Sequence, residues 1–203
     1  MADKEVSKLT DVLETLLIPL WSRAVETGRK DALITDRKAV ETMSSIEYDF
    51  SKFKKSKFSQ AGCCIRASLI DNEVKDFLKE HPDAVVVHLG AGLDARYEVK
   101  AFFDELCSRL GSATVIFDML VYMLVGNSKY HDSLPKMGKK VEFLWSELNV
   151  KDMEQWNSKI HVEKEYYMSD YERGRYPLAA RLMYKIPYFY KRMNQRVERL
   201  RIG

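Results

Sequence analysis

The chain has 203 residues, 46% of them hydrophobic and 31% charged, with nine glycines and five prolines. Such a composition suits a folded domain whose core needs no metal or disulfide staple, and it excludes disordered, collagen-like and disulfide-rich classes. The formal net charge is only +3, no stretch is apolar for long enough to span a bilayer, and the three cysteines, Cys63, Cys64 and Cys107, match no zinc or disulfide spacing. A reducing, cytoplasmic setting without nucleic-acid or membrane partners is therefore expected, and secretion is not.

In chain order, Val6 to Thr27 carries Leu9, Val12, Leu13, Leu16, Leu17, Leu20 and Ala24 at the spacing of one helical face, with Pro19 placed to kink it. Asp36 is positioned to cap a short helix running through Met43. Ser59 to Lys79 sets Ile65, Leu69, Ile70, Val74, Phe77 and Leu78 on one side of a longer helix. Residues 1–80 thus read as a helical N-terminal part of a single domain covering 1–203.

The period then changes. After the turn-like His81-Pro82-Asp83, the run Ala84-Val85-Val86-Val87-His88-Leu89 ends at Gly90 and reads as a buried parallel strand. Val99, Phe102, Phe103, Leu106 and Leu110 mark a helix that stops at Gly111, a residue suited to the left-handed conformation beyond a helix end. Ala113 to Phe117 is a second buried strand, ending in Asp118. Strand, glycine turn, helix and strand therefore follow one another in about the minimum length for a parallel crossover. Beyond it the sequence predicts a strand near Val141 to Trp145, a short helix near Lys151 to Trp156, and an alternating strand from Ile160 to Tyr166 that pairs antiparallel at the sheet's end. Pro177 to Lys185 reads as helix and Val197 to Ile202 as a closing strand. From Arg173 onward Arg175, Arg181, Lys185, Lys191, Arg192, Arg196, Arg199 and Arg201 face Glu198 as counter-charge. That end suits an anionic substrate or RNA, or is simply a solvated helix face and edge strand.

The motif that carries chemistry is Gly90-Ala91-Gly92-Leu93-Asp94-Ala95-Arg96, set between the first strand and the next helix. Glycines there let backbone approach a ligand closely, and the helix start behind them offers free N–H groups. Read literally, the string also fits the dinucleotide pattern, with Ala95 last and Asp118 roughly 20 residues further on as a ribose-binding acid. Asp94 opposes that reading, because a carboxylate at the helix entrance repels a pyrophosphate and suits a cationic ligand. A tight turn with Asp94 as its cap remains the structural alternative.

The run Val85 to Arg96, VVVHLGAGLDAR, resembles the cofactor signature L-G-A-G-x-D-T-R of the leucine carboxyl methyltransferase and tetracenomycin polyketide O-methyltransferase family, with Ala95 in place of the usual Thr. DALITDRKAVE at Asp31 to Glu41, YDFSKFKKS at Tyr48 to Ser56, SQAGCCIRASLIDNEV at Ser59 to Val74, GNSKYHDS at Gly126 to Ser133 and YYMSDYERGR at Tyr166 to Arg175 resemble it too. The resemblance implies an α/β chain built on a Rossmann-like class I methyltransferase sheet, using S-adenosylmethionine as cofactor. Gly90, Ala91, Gly92 and Asp94 would cup that cofactor, and Arg66, on the helix preceding the first strand, would hold its carboxylate as a bidentate guanidinium.

Members of the family normally place further strands and helices between the glycine turn and the helix matching Val99 to Leu110, whereas here Tyr97 runs almost directly into that helix. The fold is therefore expected to be contracted, with Asp118 taking the ribose role because it ends the next strand. The implied activity is O-methylation of a carboxylate or hydroxyl on a small molecule or peptide. The alternatives are a shortened inactive scaffold that self-associates through its exposed sheet edge, and an NAD-binding protein. No catalytic base is assigned: His81, His88, His131 and His161 are scattered, and Tyr166, Tyr167 and Tyr171 either line an acceptor pocket or pack across strands.

Overall fold

The computed structural model describes residues 15–87, 96–137 and 143–203. Helix α1 is Leu17–Thr27, with Pro19 in its first turn, where a missing N–H costs no intrahelical bond. Helix α2 is Arg37–Ser45 and is capped as the sequence predicts, the Asp36 carboxylate accepting from Ala39 N at 2.8 Å. Helix α3, Lys57–Glu80, is the longest described element, and α4 spans Arg96–Arg109. Strand β1 is Ala113–Met119 and β2 is Ile160–Tyr167. After two short helices, α5 at Leu178–Met183 and α6 at Pro187–Met193, comes β3 at Arg196–Ile202.

The chain is thus mixed α and β, but its sheet differs from the expected one. Among the described residues the strand order is β1-β3-β2, antiparallel throughout, with β3 in the middle. Ala84 to Val87, expected as a buried parallel strand, is not in the sheet: Val85, Val86 and Val87 are 88, 55 and 70% exposed. A β-branched run becomes a buried strand only where sheet partners cover both of its edges and layers cover both faces. No described strand pairs with Ala84 to Val87, so the predicted crossover onto β1 is absent here. Two smaller expectations also fail. Gly111 has no positive φ, and of the strand expected near Val141 to Trp145, whose first two residues lie outside the described ones, the described part makes one parallel bridge, between Val125 and Phe143.

Strand alternation divides the core. One face of the sheet presents Val115, Phe117, Met119, Ile160, Leu200 and Ile202 to Val99, Phe103 and Cys107 of α4 and to Trp145 and Met153. The other presents Ile116, Tyr166 and Val197 to Ala61 and Ile65 of α3 and to Tyr176 and Ala180. Helices therefore cover the sheet from both sides. A third cluster, Leu17, Ile18, Trp21, Phe53 and Leu134, joins α1 to the turn before α3.

The first turn of α3 is closed from a distance. The Asp132 carboxylate accepts from Phe58 N at 3.1 Å and Ser59 N at 3.0 Å and is hydrogen bonded to the Ser59 hydroxyl. A carboxylate there satisfies orphan donors and meets the positive end of the helix dipole. The face of β3 toward α4 also carries charge: Arg196 and Glu198 are 1% and 0% exposed. Arg196 is bonded to Glu165 and to the carbonyls of Glu147 and Leu148, whereas the Glu198 carboxylate accepts no hydrogen bond among the described residues and meets Arg196 Nε only at 3.5 Å. Burial pushes the Glu198 carboxyl up to about 8, with Arg196 opposing and Glu165 reinforcing the shift.

Folding takes up a proton on Glu198, so its stabilising contribution is complete below the ordinary carboxylate pKa and is lost as pH rises toward about 8. Melting temperature measured from about pH 5 to 8 should fall more steeply for the parent chain than for Glu198→Gln, which cannot ionise. Asp132→Ala should cost about 1–2 kcal/mol in urea unfolding through loss of the remote cap.

Candidate functional site

Of the residues the sequence nominates, Gly90, Ala91, Gly92 and Asp94 lie outside the described residues, as does His88. The other two meet. Arg66, a little over two turns into α3, reaches Asp118 near the end of β1, and its Nη1 donates to Asp118 Oδ2 at 2.8 Å. Gln195 Nε2, just before β3, donates to the same oxygen at 3.1 Å. Close approach of α3 to this corner depends on Gly62, where an added Cβ would stand 3.2 Å from Gln195 Oε1.

The local electrostatics follow from that contact. Burial works against the Arg66 charge, but the Asp118 carboxylate outweighs it and holds the guanidinium pKa above its usual value. Cys63, one turn earlier on α3, has its thiol pushed up by burial, with Arg66 only partly opposing, so it is held as a thiol. Its neighbour Cys64 is pushed up to about 12 by burial and then by Glu26. All three cysteines are free.

The Arg66 and Asp118 side chains are 28 and 39% exposed, so the pair stands at the rim of the core. A guanidinium has five N–H donors in a planar fork, and among the described residues only one Arg66 nitrogen is engaged. The remaining donors can take a second carboxylate without breaking the first contact. Asp118, in contrast, is already committed to Arg66 and Gln195, which competes with the ribose role foreseen for it.

The tyrosines do not form one pocket. Tyr166 donates to Glu73 and lies edge-on to Tyr171 at 6.0 Å on the α3 side, while Tyr167, on the opposite face, stacks on Tyr190 at 4.6 Å. Burial raises all three phenols, so none is poised as a base. His81 rests against the Phe77 ring at 4.5 Å, and His131 Nδ1 lies 3.1 Å from the Ser133 hydroxyl in a local turn. Among the described residues no cluster of three or more His, Cys, Asp or Glu side chains could hold a metal ion.

Sequence reasoning missed two residues here. Gln195 carries no signal in one sequence. Glu73 does: it sits on the apolar side of α3 beside Leu69, Ile70 and Phe77, is 7% exposed, and accepts from Tyr166, Lys164 and Arg199. Burial would raise its pKa, but these three donors hold it below the usual carboxylate range.

No family model and no solved structure matches the chain. The named proteins to which part of it is similar are methyltransferases. It is 39% identical over 92 residues to the tetracenomycin polyketide synthesis O-methyltransferase TcmP of Streptomyces glaucescens, across 45% of this chain and 34% of that protein. It is 31% identical over 102 residues to the S-adenosyl-L-methionine-dependent methyltransferase dpfgK of Gibberella zeae, across 46% of this chain and 34% of that protein. The chain thus spans about a third of the length of the curated relatives it matches.

Because the Arg66–Asp118 pair is partly solvated, its worth to folding is small. Asp118→Asn should shift unfolding free energy by no more than about 1 kcal/mol in a denaturant titration, which leaves the variant usable in binding experiments.

Proposed function

We infer that this chain is an S-adenosylmethionine-binding protein of the O-methyltransferase kind, acting on a carboxylate or hydroxyl of a small molecule or peptide. The observation that carries the reading is Arg66. The residue matched by resemblance to the cofactor's carboxylate holder is fully charged, stands at the rim of the core, and keeps donors that no described residue engages. Partial identity to named methyltransferases supports it. Placement of the glycine motif Gly90 to Asp94 beside the cofactor belongs to the same proposal.

In this reading Arg66 binds and orients the carboxylate of the cofactor, which supplies a methyl group on sulfonium to an acceptor oxygen. The chain's own contribution is to hold donor and acceptor in line and keep water away. A carboxylate acceptor needs no base, which agrees with phenols held neutral by burial. Asp118 acts as an internal carboxylate that shares Arg66 with the incoming one.

One observation favours a second reading, that of an inactive scaffold. Ala84 to Val87 leads into the glycine turn, yet it lies exposed and outside the sheet. The cofactor-binding reading expects that run to be a strand paired within the sheet. Self-association through the edge of β1, which no described strand covers, belongs to this alternative.

Calorimetric titration with S-adenosylmethionine, S-adenosylhomocysteine and NAD separates the readings. Binding confined to the adenosyl compounds is expected. Arg66→Ala should weaken it roughly 10- to 100-fold, the worth of a charge-assisted hydrogen-bonded pair. Asp118→Asn should tighten it roughly two- to tenfold by freeing the guanidinium. No heat with any of the three ligands leaves the scaffold reading, and heat with NAD alone reinstates the dinucleotide one.

A further inference from the structure

From Arg173 to Val197 the chain contains no Asp or Glu. Some of its basic residues are occupied: Arg173 pairs with Asp170, Arg175 with Glu26, and Arg196 with Glu165. Arg181, Lys185 and Lys191 are exposed and meet no carboxylate among the described residues. Arg192 lies over the Tyr188 ring, its guanidinium carbon 4.2 Å from the centroid.

Interleaved with these cations are apolar side chains that the core does not take. Ala180 and Tyr184 turn α5 and the residues after it toward Phe58 and Tyr176. On the outer side, Leu178, Leu182, Ile186 and Tyr188 are 66, 53, 48 and 55% exposed. Exposed apolar and cationic groups thus share one short stretch, Leu178 to Arg192.

We propose that this stretch is a peripheral docking surface for an anionic lipid bilayer. The sequence alone leads to the opposite expectation of no membrane partner, because no segment is long and apolar enough to span one. Lying on a bilayer needs something different: protruding aliphatic groups to enter the acyl boundary, cations around them to meet anionic headgroups, and an aromatic at the depth between. Leu178, Leu182 and Ile186 supply the first, Arg181, Lys185 and Lys191 the second, and Tyr188 under Arg192 the third. The stretch carries no acid of its own, and Asp170, which accepts from Tyr190, is shared with Arg173, so among the described residues it offers no array of free acids with which a protein interface sets register and selects chiefly by sign of charge. That selectivity matches a laterally fluid headgroup layer better than one folded partner. The inference stands independently of the methyltransferase reading.

Sedimentation of the full chain with vesicles tests it, using pure phosphatidylcholine against phosphatidylcholine containing about one third phosphatidylserine. The expected result is at least roughly tenfold stronger partition onto the anionic vesicles, reduced when salt is raised from about 0.1 to 0.5 M. Arg181→Glu with Lys185→Glu should abolish the preference, and Leu182→Ser should weaken binding to anionic vesicles severalfold without changing its salt dependence. Circular dichroism confirms the fold of each variant, and Lys185→Gln with Lys191→Gln serves if the charge reversals fail to fold. Equal partition onto both vesicles, no partition, or charge variants that bind like the parent would overturn the proposal. So would preferential capture by polyglutamate or an RNA homopolymer, which would assign the surface to an acidic polymer instead.

Discussion

Helix α3 is tied to the rest of the chain at three levels, and the other elements take their places around those ties. At its start Asp132 closes the first turn. Near its middle, Arg66 reaches Asp118 on β1, and two turns further on Glu73 gathers Tyr166 and Lys164 from β2 and Arg199 from β3. Glu73 matters most because it is buried. A carboxylate there is tolerable only with donors on its oxygens, and the donors come from two different strands. Helix position and strand register are therefore fixed by one side chain. The Arg66–Asp118 contact inherits its geometry from that anchor.

The arginine–acid contacts at β1 and β3 differ in what they can do. Arg196 and Glu198 are taken fully out of water, and there the acid answers burial by keeping its proton while the arginine takes Glu165 and two backbone carbonyls. Arg66 and Asp118 keep contact with solvent. A cation in that setting can exchange one acid for another at low cost, which is the property a carboxylate-binding position requires. Burial, more than distance, separates the structural pair from the candidate ligand-binding one.

Much of the helical framework was legible in the chain. The 3.6-residue spacing through Ile65, Leu69 and Ile70 places α3, Asp36 announces α2, and the alternation in Ile160 to Tyr166 and Val197 to Ile202 announces β2 and β3. Strand neighbours were not legible, because periodicity reports which face of a strand is buried and says nothing about which strand lies beside it. Val85 to Val87 shows the cost of that gap: its composition is that of an interior strand, but no described strand pairs with it. At the site, Arg66 was reachable only through resemblance, since a lone arginine on a helix is ordinarily a surface charge. Its pairing with Asp118 depends on a contact between positions 52 residues apart, which local pattern cannot reveal.

The strand order has a consequence for how the sheet comes to exist. Strands β1 and β2 each pair with β3 and not with each other, and β3 follows both along the chain. During synthesis the two earlier strands must wait, unzipped, for a middle partner that leaves the ribosome after them. Over that interval the nascent chain is all helix and loose ends, and its exposure to chaperones and to premature aggregation is set by the time needed to translate residues 168–202.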